Sequence, residues 1–174
     1  ELYTLYGSGE WALGNTAKTY TTHYFGISGP KGTNPVTGKP YNMLITGVQG
    51  DIALDGVLGM DSKIKMAHIT DGSSNTLMLG EHSWSRANTY RIWVRGSYAK
   101  EELTSSRNVA NTMSSTGYNG LENFNDVSLG SMHVDKGAHF ALADGTCRYL
   151  QRSINFGVYL SLASRNGNET ASPD

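Results

Sequence analysis

Twenty-one glycines scattered along the chain leave little room for long regular elements. Glycine supplies turns and left-handed backbone positions but weakens the interiors of helices and strands. The sequence therefore predicts short elements joined by many loops. Ten tyrosines against four phenylalanines, with abundant Thr, Ser and Asn, suit half-exposed β surfaces and polar turns. The expectation is an α+β domain, mainly antiparallel β-sheet with long loops and a short helix. A chain of 174 residues fits a single domain over 1–174, with a loop-rich N-terminal part at 1–62.

Charge and apolar runs exclude several function classes. The formal net charge is −1 and no Lys/Arg block is present, so the basic stripe of a nucleic-acid binder is missing. No apolar run approaches the roughly 20 residues needed to cross a bilayer. The opening Glu1-Leu2-Tyr3-Thr4 lacks the basic and apolar regions of a signal peptide and reads as a processed end. Cys147 is alone, which rules out an internal disulfide and a Cys-rich zinc site. It reads as a small buried hydrophobe in a strand, with an intermolecular bridge or a reactive thiol as alternatives.

Along the chain, Thr19–Phe25 is the best early strand, and 26–42, with Gly29-Pro30 and Asn34-Pro35, is a turn-dense loop. Residues 43–60 carry no helical period. Lys63–Ile69 alternates and fits a strand or a short helix, Asp71–Asn75 is a turn, and Thr76–Glu81 is a short buried strand. Tyr90–Gly96 alternates as a strand, whereas 97–130 reads as a long ordered loop. Two alternating runs flank Asp144-Gly145, a strong hairpin signal whose two turn residues both call for positive φ. Ile154, Val158, Leu160 and Leu162 then follow at helical spacing, with Ser153 or Asn155 as N-cap and Asn166-Gly167 as a left-handed C-cap.

Asp71–Thr76 with Gly80-Glu81, then His133 with Asp144-Gly145 and Thr146–Leu150, then Leu162–Glu169 are three motifs that in this order resemble those of a family of pilin-like proteins best known from planctomycetes, whose members carry a prepilin-type N-terminal segment and a domain of unknown function. Asp71-Gly72-Ser73-Ser74-Asn75-Thr76 followed by Gly80-Glu81 resembles a "DG-S-NT…GE" signature. His133, then Asp144-Gly145 and Thr146–Leu150, is similar to the histidine and "DG" hairpin near the family's C-terminus, and Leu162–Glu169 to its helix and Gly-Glu ending. The resemblance covers 63–169. Ten residues separate His133 from Asp144 where the family usually has nine, so Val134-Asp135-Lys136 is expected to carry an insertion. The family's apolar N-terminal helix has no counterpart in this sequence, which reads as a head domain without its stem.

The motif residues Asp71, Gly72, Ser74, Asn75, Thr76, Glu81, His133, Asp144 and Gly145 admit two kinds of reading. Asp71, Asn75 and Glu81 offer oxygens to a calcium ion, a hard cation that takes six to eight of them; otherwise no cofactor is expected. The plainer reading is turn chemistry, since Asp and Asn cap their own backbone. His133 with Asp144 or Glu81 would make a hydrogen-bonded pair that orients the imidazole; the plainer reading is a histidine buried against the Asp144-Gly145 hairpin. A hydrolase would further need a nucleophile, and Ser131, Ser73 and Ser74 sit in no G-x-S-x-G elbow. A zinc site drawn from His23, His68, His82, His133 and His139 is a further reading, without an H-x-x-x-H or H-E-x-x-H pattern behind it. Trp11, Trp84 and Trp93 read as core or interface residues ahead of a sugar platform, and Asn168-Glu169-Thr170 is a formal glycosylation sequon.

The expected function is structural: a non-enzymatic extracellular or cell-surface subunit that self-associates into pilus-like filaments or a secretion pseudopilus. Loops 26–60 and 97–130 and the Tyr-rich N-terminal segment would make the contacts. An extracellular module binding calcium or carbohydrate is the alternative, and a hydrolase using His133 and Asp144 comes third.

Overall fold

A computed structural model describes residues 2–4, 18–20, 23–45, 49–83, 97–98, 102–103, 105–117 and 123–169. Eleven strands and one helix occur there in the order β1 (Leu2–Thr4), β2 (Lys18–Tyr20), β3 (Tyr24–Pro30), β4 (Met43–Leu44), β5 (Ile52–Ala53), β6 (Leu77–Glu81), β7 (Ser97–Tyr98), β8 (Glu102–Leu103), β9 (Ser106–Val109), β10 (Ala138–Leu142), β11 (Cys147–Leu150) and α1 (Phe156–Ala163). The central sheet has five strands in the order β11-β10-β6-β3-β9. Its pairs are antiparallel except β3 with β9, which run parallel. Two-stranded ribbons β1-β2, β4-β5 and β7-β8 complete the described pairing. The class is α+β, mostly sheet with one short C-terminal helix among the described residues.

Period-two alternation decides which face each strand residue occupies. In β10, Ala138, Phe140 and Leu142 are buried while His139 is exposed. The inward residues join Phe25 and Ile27 of β3, Leu77 of β6 and Leu150 of β11 in one core. Tyr159, Leu160, Leu162 and Ala163 of α1 close that core from the other side. The helix starts where expected: the Asn155 side chain accepts from the backbone N–H groups of Gly157 (2.9 Å) and Val158 (3.3 Å), a cap worth about 1 kcal/mol.

The sequence expectation fails where side-chain pattern is weak. Thr19–Phe25 does not form one strand; β2 ends at Tyr20 and β3 begins at Tyr24. β3 continues through Pro30, inside the stretch expected to be loop. Its glycines serve close packing, because segment 54–58 crosses directly over its backbone. Gly56 N–H donates to Ser28 O (2.8 Å) and Leu58 N–H to Ile27 O (3.1 Å). A Cβ on Gly56 would lie 2.4 Å from the Ser28 carbonyl carbon.

The stretch 97–130, expected to be loop, contributes the edge strand β9. Polar Ser106, Arg107 and Asn108 hid it, yet all three are buried. The Arg107 guanidinium lies 4.6 Å from the Phe25 ring centroid and 4.2 Å from that of Phe124, and it donates to the carbonyls of Leu103 and Ser106. Lys63–Ile69 forms no strand and contains a 3-10 turn at Met66–His68. Tyr90–Gly96 lies outside the described residues.

The C-terminal hairpin forms as expected, but with a different turn. Gly145 N–H donates to Leu142 O (3.0 Å) and Leu142 N–H to Thr146 O (2.8 Å). Gly145 takes φ +88° while Asp144 stays at negative φ, the pattern of a type I turn closed by a glycine bulge. Cys147 is exposed on β11, not buried. The helix ends at Ser164 with φ −89°, and the left-handed residue beyond it is Asn168, φ +62°, rather than Asn166 or Gly167.

Replacing Gly56 with Ala forces two backbones apart. Gly56→Ala is expected to lower stability by about 3 kcal/mol, the upper end for overpacking, read as a lower urea midpoint with an unchanged m-value.

Candidate functional site

The sheet register builds the site. Tyr24 of β3 pairs with Glu81 of β6, and His139 of β10 pairs with Tyr149 of β11. β6 and β10 run antiparallel with Gly80 opposite Phe140, which sets Glu81 beside His139. Tyr24, Glu81, His139 and Tyr149 thus form a row across four strands on the face away from the core.

Glu81 is the hub of this row. Its Oε2 accepts from the His139 backbone N–H (3.0 Å) and lies 3.4 Å from His139 Nδ1. Its Oε1 lies 3.7 Å from His133 Nε2. One ligand atom from each of Glu81, His133 and His139 lies within 4.8 Å of the others. The Glu81 side chain is 18% exposed, His133 50% and His139 48%. The two imidazoles meet edge to face at 5.4 Å, and the Tyr149 ring packs against both, at 4.9 Å from His139 and 5.8 Å from His133.

His133 arrives from a tight loop. The Ser131 hydroxyl donates to Gly137 O (2.6 Å) and accepts from His133 N–H (3.0 Å), and Lys136 N–H donates to His133 O (2.8 Å). Gly130 N–H donates to Glu81 O (2.8 Å), so the loop that carries His133 is anchored on the hub residue's own backbone. Asp135 in this loop accepts from the Tyr149 hydroxyl. That bond pushes Tyr149 up to about 12 and holds Asp135 below the usual carboxylate range. Asp135 also lines an open groove of about 500 Å³ with Gln151, Arg152 and Ser153.

The residues expected to share a calcium ion are not brought together. Both carboxylate oxygens of Asp71 accept backbone N–H groups beyond the helix, Gly167 at 2.6 Å and Asn168 at 3.0 Å. Asn75 donates its backbone N–H to Gly72 O (3.0 Å) inside the 3-10 turn Ser73–Asn75. Glu81 stands at the far end of β6 with the two histidines. Ser74 is exposed on the turn, and the Thr76 hydroxyl donates to Gly72 O (3.0 Å). Turn chemistry describes Asp71-Gly72 through Thr76.

His133 is not buried against the Asp144-Gly145 turn. It is half exposed at the opposite, open end of the hairpin, where His139 and Tyr149 lie. The Asp144 carboxylate accepts from Thr146 N–H (2.9 Å) and the Thr146 hydroxyl (2.7 Å), which hold it below the usual carboxylate range. What Asp144 N–H does reach is Ser73 O (3.1 Å), while Ala143 N–H reaches Thr76 O (2.8 Å). The histidine with Asp144 therefore forms no dyad, and Ser131 is a buried loop brace. Trp11, Trp84 and Trp93 lie outside the described residues.

The sequence offers His139 as one of five candidate histidines but does not group it with Glu81. Strand phase could have found it, since alternation places it outward opposite Tyr149; the approach of Glu81 required the β6–β10 pairing, which no local pattern encodes. Among the other histidines, His82 is buried against Phe25, with ring centroids 5.0 Å apart. Burial first, then the Arg107 charge, push it down to about 3.

These elements define an α+β domain with an exposed carboxylate–imidazole cluster on the outer face of its sheet. The family model SBP_bac_10, described as a protein of unknown function (DUF1559), matches residues 11–157, and the chain belongs to that family. No curated protein and no solved structure matches it.

His82 gives the fold an acid limit. Unfolded, its imidazole takes a proton near 6.5; folded, it resists until about 3. Stability present above 6.5 is lost as pH falls through that window. Urea midpoints are expected to drop between pH 6.5 and 4, with a shallower drop in His82→Gln.

Proposed function

We propose that this domain is a non-enzymatic structural subunit, a pilin- or pseudopilin-like head displayed outside the cell or on its surface, that self-associates into filaments or a secretion-related appendage. The observation that carries this reading is the use made of the motif side chains. Asp71 ties the segment after the helix to the turn before β6. Glu169, 3% exposed, accepts from Tyr41 (2.5 Å) and Asn34 (2.8 Å). Asp144 and Gly145 shape a turn that bonds to the first motif. These groups brace a rigid head through turns and buried hydrogen bonds.

The outer strand β11 favours association. It stands at the end of the sheet with Cys147 exposed and Tyr149 38% exposed, and an open strand edge can pair with a neighbouring chain. Met132, 70% exposed, and the fully exposed Val134 add apolar surface nearby.

Two measurements test the reading. Electron microscopy of native material, with an antibody against the domain, is expected to label filaments or appendages; strictly monomeric particles under every condition would overturn it. Asp71→Ala removes two charge-assisted bonds and is expected to cost about 3 kcal/mol of stability, read by urea unfolding. A variant as stable as the parent would deny Asp71 its bracing role.

A further inference from the structure

We propose that Glu81, His133 and His139 form a binding site for a divalent transition-metal ion of the zinc class. The proposal does not rest on filament assembly. It rests on the convergence of one carboxylate and two imidazoles from three separate parts of the chain: the end of β6, the 130–137 loop and the outward face of β10.

The donor set selects the metal. Two nitrogens and a carboxylate suit Zn²⁺ and its neighbours, whereas Ca²⁺ and Mg²⁺ take oxygen ligands. Zinc bonds of about 2.0–2.1 Å to nitrogen and carboxylate oxygen place neighbouring ligand atoms of a tetrahedral site about 3.3 Å apart. His139 Nδ1 is 3.4 Å from Glu81 Oε2, and His133 Nε2 is 3.7 Å from Glu81 Oε1. All three ligand atoms lie within 4.8 Å of one another, so closing the site draws the half-exposed His133 side chain inward.

The surroundings argue the same way. The Glu81 carboxylate lies beside both imidazoles, which meet edge to face at 5.4 Å, and Asp135, bonded to the Tyr149 hydroxyl, adds an acidic group at the rim. Glu81 is held by the His139 backbone N–H, and the Tyr149 ring braces both imidazoles. Three protein ligands with an exposed outer side leave the fourth position to water or to an incoming donor, the arrangement of an open zinc site.

Such an ion would fasten the 130–137 loop to the sheet. It would also join the glutamate of one motif to the histidine of the other.

The test uses the full chain without a histidine tag, stripped with chelator and titrated calorimetrically with ZnCl₂. One ion per chain is expected, with no heat from CaCl₂. At a hundredfold excess over Kd, Zn²⁺ is expected to raise Tm by about 5 °C or more. His133→Ala and His139→Ala are each expected to weaken binding about tenfold or more, while His68→Ala, on the exposed 3-10 turn, leaves it unchanged. A measurement on the unmutated chain guards against misfolded variants: Zn²⁺ is expected to protect His133 and His139, but not His68, from diethyl pyrocarbonate. No binding at about 100 μM Zn²⁺, enough to half-fill a site with a Kd of that size, equal affinity in the His133→Ala/His139→Ala double variant, or modification of both histidines unaffected by zinc would each overturn the proposal.

Discussion

The pairing of β6 with β10 is the constraint on which the rest of the structure hangs. β6 is the middle strand of the five, bonded to β10 on one side and β3 on the other. Its antiparallel register with β10 sets Gly80 against Phe140 and commits both strands to one phase. A slip of one residue would reverse every side chain, sending His139 into the core and Phe140 into water. Burying Phe140 and Leu142 against α1 thus fixes, as a by-product, the outward row to which Glu81 and His139 belong. The hydrophobic core positions the polar cluster.

The same antiparallel pairing explains why two motifs far apart in sequence behave as one unit. The first runs from Asp71 to Glu81 and the second from His133 to Gly145, in opposite directions through neighbouring strands. The start of one therefore meets the end of the other: Ser73 O receives Asp144 N–H, and Thr76 O receives Ala143 N–H. At the far end of the strands, Glu81 meets His133. The terminal Gly-Glu segment adds a third partner by placing its backbone on Asp71. Arg165 extends this buckle, donating to the carbonyls of Leu54 (2.5 Å) and Gly56 (2.7 Å).

Local signals in the sequence reached some elements and not others, for definite reasons. The hairpin and α1 were legible because an Asp-Gly turn, a capping asparagine and apolar spacing all act within a few residues. β9 was not, because Arg107 looks like a surface residue until Phe25 and Phe124 enclose its guanidinium. β3 past Gly26 was hidden by glycines whose purpose appears only when segment 54–58 crosses over them. In the site, Glu81 and His133 could be singled out by resemblance, but their meeting depends on strand order. His139 could be placed outward by phase, yet only the neighbouring strand gives that orientation a partner.

The acidic residues of the motifs make the same point in electrostatic terms. Glu169 is buried, and burial, together with the nearby Asp71 carboxylate, raises its affinity for a proton even though the Tyr41 hydroxyl offsets part of the cost. Its charge is a burden on the folded state, tolerated because Tyr41 and Asn34 satisfy the same oxygen. Asp71 instead accepts one backbone N–H group on each carboxylate oxygen. Glu81 differs from both. Its partners are imidazoles that are half open to solvent. Carboxylates that look alike in the sequence thus differ in what they meet: Asp71 two backbone N–H groups, Glu169 the Tyr41 and Asn34 side chains, and Glu81 two imidazoles on the outer face of the sheet. An outward carboxylate between two imidazoles is free to take a cation without loosening the core beneath it.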